Sequence, residues 1–274
     1  MSKIIKLYCE GKRGSHDYDI MEKVIENLSS HIQIDSIGSI RGAGAIIQYK
    51  EEKEVQKSDF YLLFRDRDFD KEIPETPKLE QDTQKTYCYY SYRNTIENYL
   101  FNEKSFLDFM KVEKLMSKYQ FSTEEDVKNK FIDAANRIKG YQIARHTMGK
   151  LRTGETNFGT KLTSKSGVLP SNLSKEYCKK EALERINNAK SFTDNWNEDN
   201  FNEIYDKFSI KFNNDFMLNL DFFIFFHGKD FATSLKTILP DFPLERYYKF
   251  SKKEFDYTLF QDLVELRKLI ESNL

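Results

Sequence analysis

The chain has 274 residues, of which 39% are hydrophobic, and a formal net charge of -1. That length allows a sizeable core in one large domain or two small ones, while the near-zero charge excludes a global pull toward nucleic acid or membrane, so a polyanion site has to come from local clustering. Cys9, Cys88 and Cys178 are odd in number and form no Cys-x-x-Cys pair, which argues against a disulfide framework or a structural zinc module.

In chain order, Ile4 to Tyr8 reads as a short apolar strand. It begins so close to Met1 that a signal peptide is not expected, and the protein is read as cytoplasmic. Ser15 can N-cap a helix through Leu28 whose apolar face carries Ile20, Val24, Ile25 and Leu28, with Asp17 and Asp19 in its first turn. Ile34 to Ile40 reads as a second strand, and Gly38, Gly42 and Gly44 supply turn positions. A short helix from Ala45 toward Glu54, a third strand over Phe60–Phe64 and a fourth over Thr86–Ser91 follow. Glu72 to Gln84 is polar, contains Pro74 and Pro77, and is expected to be a loop. Alternating strand and helix predicts an α/β fold with a mostly parallel sheet flanked by helices over residues 1–101, and a mainly helical region over 102–274.

In the second half, Ser122-Thr123-Glu124-Glu125 has the form of a capping box, with Ser122 and Glu125 as its members. The helix it starts carries Val127, Phe131, Ala134 and Ile138 and is expected to stop at Gly140. Gly149 to Pro170 reads as a long Gly/Ser/Thr/Lys-rich loop, Ser174 as the cap of a helix through Ala189, and Thr258–Ile270 as a last helix with Leu259, Leu263, Leu266 and Ile270 inward. Phe216 to Phe226 is too short to span a bilayer and is expected to be core, so no membrane partner is expected.

Chemistry concentrates at strand ends. Glu10-Gly11 follows the first strand, and Asp66 and Asp68 follow the third. In a parallel sheet both ends open onto one rim, where α/β ligand sites form. In an extended chain residues i and i+2 point the same way, so Asp66 and Asp68 could face one cation with Glu10 as a further hard oxygen ligand. The bland alternative is a set of solvated loop acids. Asp70 continues the alternation as either a further ligand or a surface residue.

Tyr8-Cys9-Glu10-Gly11 followed by a helix, then Phe64-Arg65-Asp66-Arg67-Asp68, resembles the TOPRIM domain found in topoisomerases, bacterial primases and OLD-type nucleases. The resemblance implies that Glu10, Asp66 and Asp68 hold Mg²⁺ (or Mn²⁺) and act on phosphodiester bonds. Tyr92 to Leu100, with its Glu97-Asn98-Tyr99-Leu100 segment, and His227-Gly228-Lys229-Asp230 extend the resemblance to stand-alone TOPRIM subunits of the AriB type, which are partnered with ABC-type ATPases in phage-defence systems such as PARIS. That implies a toxic nuclease effector, cutting DNA or RNA (transfer RNA included), controlled by an ABC-type ATPase partner. The link Lys12 to His16 is longer than in a typical TOPRIM domain and leaves the next acid, Asp17 or Asp19, unassigned.

Glu97 can complete a second metal site, since two cations can clamp the attacking and leaving oxygens of a phosphodiester. It can equally be a helix-start carboxylate paired to the dipole or to Arg93. Lys229 can neutralise charge developing on phosphate, or be a capping or surface lysine. His16 and His227 are possible proton carriers or structural histidines.

Between Arg137 and Lys180 ten basic residues face only two acids, Glu155 and Glu176, a local excess of eight positive charges. Arg145, Lys150, Arg152, Lys161 and Lys165 in this block, with Lys12, Arg13, Arg65 and Arg67 near the acids, are the candidate phosphate contacts. Tyr141, His146 and Phe158 could stack on unpaired bases. The 23 Phe and 16 Tyr are mostly core, but some can form a docking face for another subunit, a second copy of the chain included. The rival to a nuclease is a catalytically inactive TOPRIM-fold regulatory or scaffold subunit that binds the ATPase.

Overall fold

The first strand, β1 (Ile5–Cys9), is buried along its whole length. Even Lys6 is buried, its ammonium 3.5 Å from Glu51. A strand covered on both faces belongs in the middle of a parallel sheet, and β1 lies there in the computed structural model, which describes residues 4–28, 31–38, 42–53, 58–69, 71–151, 167, 169–189 and 197–274. After β1 come α1 (His16–Val24), β2 (Ile32–Ser36), α2 (Ala43–Lys53), β3 (Phe60–Arg65), β4 (Glu80–Gln81) and β5 (Cys88–Tyr90). The sheet order is β2-β1-β3-β5-β4, with β4 alone antiparallel, at one edge. The expected α/β sheet is therefore present. The proline-bearing loop nonetheless contributes the two-residue strand β4, and β2 starts and ends earlier than its apolar pattern suggested; residues 39–41 lie outside the described ones.

The elements among the remaining described residues are helical: α3 (Glu103–Val112), α4 (Met116–Tyr119), α5 (Glu124–Lys150), α6 (Lys175–Ala189), α7 (Glu198–Lys211), α8 (Asn214–Leu218), α9 (Phe222–Phe225), α10 (Gly228–Ile238), α11 (Leu244–Lys253) and α12 (Gln261–Glu271), with 3-10 turns at Ile96–Leu100 and Tyr257–Leu259. The capping box is one residue later than expected. Thr123 is the N-cap, and Asp126 accepts from the Ser122 and Thr123 amides at 2.8 and 2.9 Å. The helix does not stop at Gly140: α5 runs on through it to Lys150, and a Cβ there would lie 3.4 Å from Lys175 Cα at the start of α6, an ordinary packing distance. Ser174 does cap α6, accepting from the Tyr177 amide at 3.2 Å. Leu263, Leu266 and Ile270 are buried as expected, whereas Leu259 is 72% exposed.

Contacts divide the chain into two compact units. The first comprises Met1–Arg67, Pro74–Tyr92 and Lys252–Leu274, and the second Asp68–Ile73 and Arg93–Ser251. The division expected at 101/102 thus falls elsewhere, and α12 belongs with the sheet. Its Asp262 accepts the Tyr92 amide at 2.7 Å. The second unit packs an aromatic core in which Phe101–Phe231 and Phe106–Phe131 meet edge-on at 5.0 Å, a favoured ring geometry. Tyr247 and Ser251 both donate to the Leu100 carbonyl at 2.6 Å. Phe216, Phe222, Phe223, Phe225 and Phe226 are core. Among the described residues no helix is long and apolar enough to cross a membrane, and the three cysteines are buried and free.

Candidate functional site

In the first unit Glu10 directly follows β1 and Asp66 directly follows β3. These strands are parallel neighbours, with Tyr8 opposite Leu63. From β1 the chain passes through α1 to β2 on one side, then through α2 to β3 on the other. Glu10 and Asp66 therefore flank the point where the sheet's connections diverge, beyond the carboxyl ends of the strands, where open α/β sheets bind ligands. Glu10 is exposed and Asp66 partly so.

The turn after Glu10 is fixed by acids. Gly11 donates its N–H to Asp17 at 2.7 Å, and the Ser15 hydroxyl donates to the same carboxylate at 2.5 Å. A Cβ on Gly11 would overlap Ser15 and Asp17, so only glycine fits. Asp19 accepts from the Gly14 amide at 3.0 Å and from Lys252 at 2.5 Å. Asp17 and Asp19 thus close the loop and anchor it. Burial, and then the charges of Asp17, Asp35 and Glu10, push the Cys9 thiol up, so this end of β1 is electronegative.

Two of the arginines expected to meet phosphate do something else. Arg67 is fully buried, bonded to the Ser91 carbonyl and paired with Glu80 at 2.9 Å. Arg145 is 3% exposed and donates to Asp230. A guanidinium enclosed and paired in the core cannot reach a nucleic acid. Tyr141 and His146 are likewise buried rather than available for stacking. Arg65 lies over the Tyr90 ring at 5.2 Å and donates to the Asp66 carbonyl at 3.1 Å. Lys12 and Arg13 are exposed, and Lys150 pairs with Glu72 at 2.9 Å. Asp70, Arg152, Phe158, Lys161 and Lys165 lie outside the described residues.

Asp68 opens the second unit and does not continue the strand. Its φ is 48° and that of Phe69 is 69°, so the extended alternation that would aim Asp66 and Asp68 the same way ends before Asp68. Two consecutive non-glycine residues in the left-handed region are a strained arrangement. The Asp68 carboxylate is 42% exposed and lies 3.4 Å from His227 Nε2. Desolvation raises its pKa, but the hydrogen bond from His227 and the charges of His227, Lys229 and Arg145 outweigh it, and the carboxyl ends below its ordinary value. It is therefore ionised at neutral pH.

Around it is a polar network at the start of α10. Glu97 is 4% exposed, with Oε1 3.5 Å from Lys229 Nζ and Oε2 without a hydrogen-bond partner. Lys229 pairs with it, and Arg93 donates to the Asn98 carbonyl. Gly228 donates to the Thr95 hydroxyl at 2.9 Å, and a Cβ there would lie 2.7 Å from Glu97, Asn98 and Thr95 atoms. His227 Nδ1 accepts the Lys229 amide at 3.3 Å and so caps α10. Asp230, fully buried, accepts from Arg145, from Gln142 at 2.8 Å and from the Gly167 amide at 2.9 Å. The His227–Asp230 segment stands out in the sequence, but nothing there pointed to Gln142 or Arg145 as its partners, because they meet it only through folding.

Each unit carries oxygen donors of the kind a hard cation takes, and the partnerless Oε2 of Glu97 is a buried acceptor that such an ion would satisfy. Among the described residues no three or more His, Cys, Asp or Glu side chains gather into one group able to hold a metal ion. No family model matches the chain, and no curated protein matches it significantly.

Proposed function

We propose that the protein is a metal-dependent nuclease of TOPRIM type that hydrolyses phosphodiester bonds in DNA or RNA, transfer RNA included. The observation that carries this reading is the pair of carboxylates, Glu10 and Asp66, on either side of the sheet's topological switch point. The candidate ligands for Mg²⁺ or Mn²⁺ are Glu10 and Asp66 in the first unit and Asp68 and Glu97 in the second. When bound, the cation would supply Lewis-acid polarisation of the phosphoryl oxygens and activation of the attacking water.

The chain's own residues supply the rest. Lys229, with its side chain 57% exposed and its Nζ close to Glu97, offers positive charge to the phosphate as negative charge develops. Glu10, exposed beside Gly11, has general base as its alternative role to metal ligand. Asp68 is held ionised by its surroundings. The exposed Lys12 and Arg13 carry charge that would draw a phosphate backbone toward the rim. By the resemblance of its motifs the protein is the toxic effector of an anti-phage system, held inactive by an ABC-type ATPase.

The test is cleavage of plasmid, single-stranded DNA and total RNA with and without Mg²⁺. Cleavage that requires Mg²⁺ and is abolished in both Glu10→Ala and Asp66→Ala is the expected result. If the parent cleaves nothing, or both variants cut as well as the parent, the nuclease reading fails; a parent that cleaves nothing but binds the ATPase points instead to the regulatory subunit.

A further inference from the structure

We propose that His227 and Asn94 form a two-sided clamp that positions the Asp68 carboxylate, both acting through Asp68 rather than on substrate. The inference rests on the reading of Asp68 as a metal ligand.

The backbone at Asp68 and Phe69 needs a restraint. Left-handed φ values of 48° and 69° are strained for non-glycine residues and persist only where the surroundings over-determine them. Asn94 provides that restraint. Its carbonyl accepts the Asp68 amide at 3.1 Å, and its side-chain oxygen accepts the Phe69 amide at 3.2 Å. Asn94 is in turn fixed by its amide to the Ile224 carbonyl at 2.8 Å and by its side-chain nitrogen to the Phe225 carbonyl at 2.9 Å. One buried residue thus ties the turn to the segment before α10.

The Phe69 ring leaves the turn no freedom. It stacks on His227 at 6.1 Å, meets His146 edge-on at 4.8 Å and lies under the Arg145 guanidinium at 4.4 Å. A Cβ on Gly149 would come within 2.8 Å of the Phe69 backbone, so α5 also presses on it.

His227 acts on the carboxylate itself. With Nδ1 accepting the Lys229 amide, Nε2 is the ring's donor, and it faces Asp68 Oδ1 at 3.4 Å. The imidazole is therefore a fixed donor that sets the orientation of the carboxylate. Hydrogen-bond partners of this kind behind a ligand typically change metal affinity by about 10–100-fold.

The experiment is a titration of the full-length protein with Mn²⁺ alone, followed by electron paramagnetic resonance. Asp68→Asn should weaken binding. His227→Ala and Asn94→Ala should each weaken it about 10–100-fold, and His227→Gln, which keeps an N–H at the Nε2 position, should restore most of the loss. Leu239→Ala, a core change at the far end of α10, should leave affinity unchanged. If Leu239→Ala weakens binding as much as His227→Ala, the effect is general loosening and the clamp is overturned. If Asp68→Asn weakens binding but His227→Ala and Asn94→Ala do not, the clamp fails and the ligand assignment stands. If Asp68→Asn binds Mn²⁺ like the parent, the ligand assignment itself fails and the clamp with it. Should His227→Ala not fold, His227→Gln and His227→Asn decide. Asparagine keeps only the acceptor facing the Lys229 amide, so it should bind more weakly than glutamine, and equal affinities overturn the clamp.

Discussion

The candidate residues of the two units are held in opposite ways. In the first unit Glu10 and Asp66 stand at the ends of regular parallel strands, and the loop acids Asp17 and Asp19 do the structural work beside them. In the second, Asp68, Glu97 and Lys229 sit on a left-handed turn, a 3-10 turn and a helix start, all embedded in a buried polar network. The first arrangement separates chemistry from stability, because removing a rim carboxylate leaves the strand ends intact. The second merges them, because nearly every charge near the candidate residues also satisfies a buried partner.

The largest break in that comparison is Asp230→Ala. It would leave the Arg145 guanidinium buried beside Phe69 without its carboxylate, a loss of about 3–5 kcal/mol. Chemical denaturation, with hydrogen exchange of the α5 and α10 amides as a local probe, should register it in the second unit. A loss below 1 kcal/mol would mean that the network is not what holds this unit together.

His146 gives the next effect. Burial lowers its pKa to about 3; the Phe225 carbonyl, 2.8 Å from Nε2, opposes that, while the charges of Arg145 and Lys211 add to it. The folded-state value lies below the ordinary histidine value, so between about 3 and 6.5 the unfolded chain binds the proton that the folded chain refuses. Stability is full above pH 6.5 and falls as the pH drops, by at most about 1.4 kcal/mol per pH unit from this group. His146→Gln should flatten the slope between pH 6.5 and 4.5. An unchanged slope would assign the acid sensitivity to other groups.

The same contrast explains what could be read from the chain. Glu10, Gly11 and Asp66 were legible because strand, turn and acid are consecutive, and the parallel register follows from apolar runs separated by helical ones. The burial of Arg67 was not legible, since its place depends on Glu80, which arrives later in the chain on a strand hidden in a proline-bearing loop, and on Ser91, just past β5. The turn at Asp68 depends on Asn94, 26 residues away. Local pattern carries the strand ends, and tertiary contact carries the network.

Asp17→Ala tests the separation within the first unit. It removes the acceptor of the Gly11 amide and of the Ser15 hydroxyl, and leaving such groups unsatisfied costs about 1–3 kcal/mol, with the low end expected in a partly solvated loop. A change within experimental error would show that solvent replaces the carboxylate and that Asp17 is not what shapes the turn.

The smallest effect on stability should come from Glu10→Gln. The residue is exposed, and substitutions away from packed or capped features usually stay within about 0.5 kcal/mol. The sign should be neutral or slightly favourable, because the nearby thiol already registers Asp17, Asp35 and Glu10 as accumulated negative charge at this end of β1 and the amide removes one of the three. Nuclease activity, by contrast, should be lost. That pairing of intact stability with absent cleavage is what separates a rim carboxylate from a loop-closing one. If Glu10→Gln instead loosened the first unit as much as Asp17→Ala, Glu10 would be part of the loop's framework, and the switch-point argument would rest on Asp66 alone.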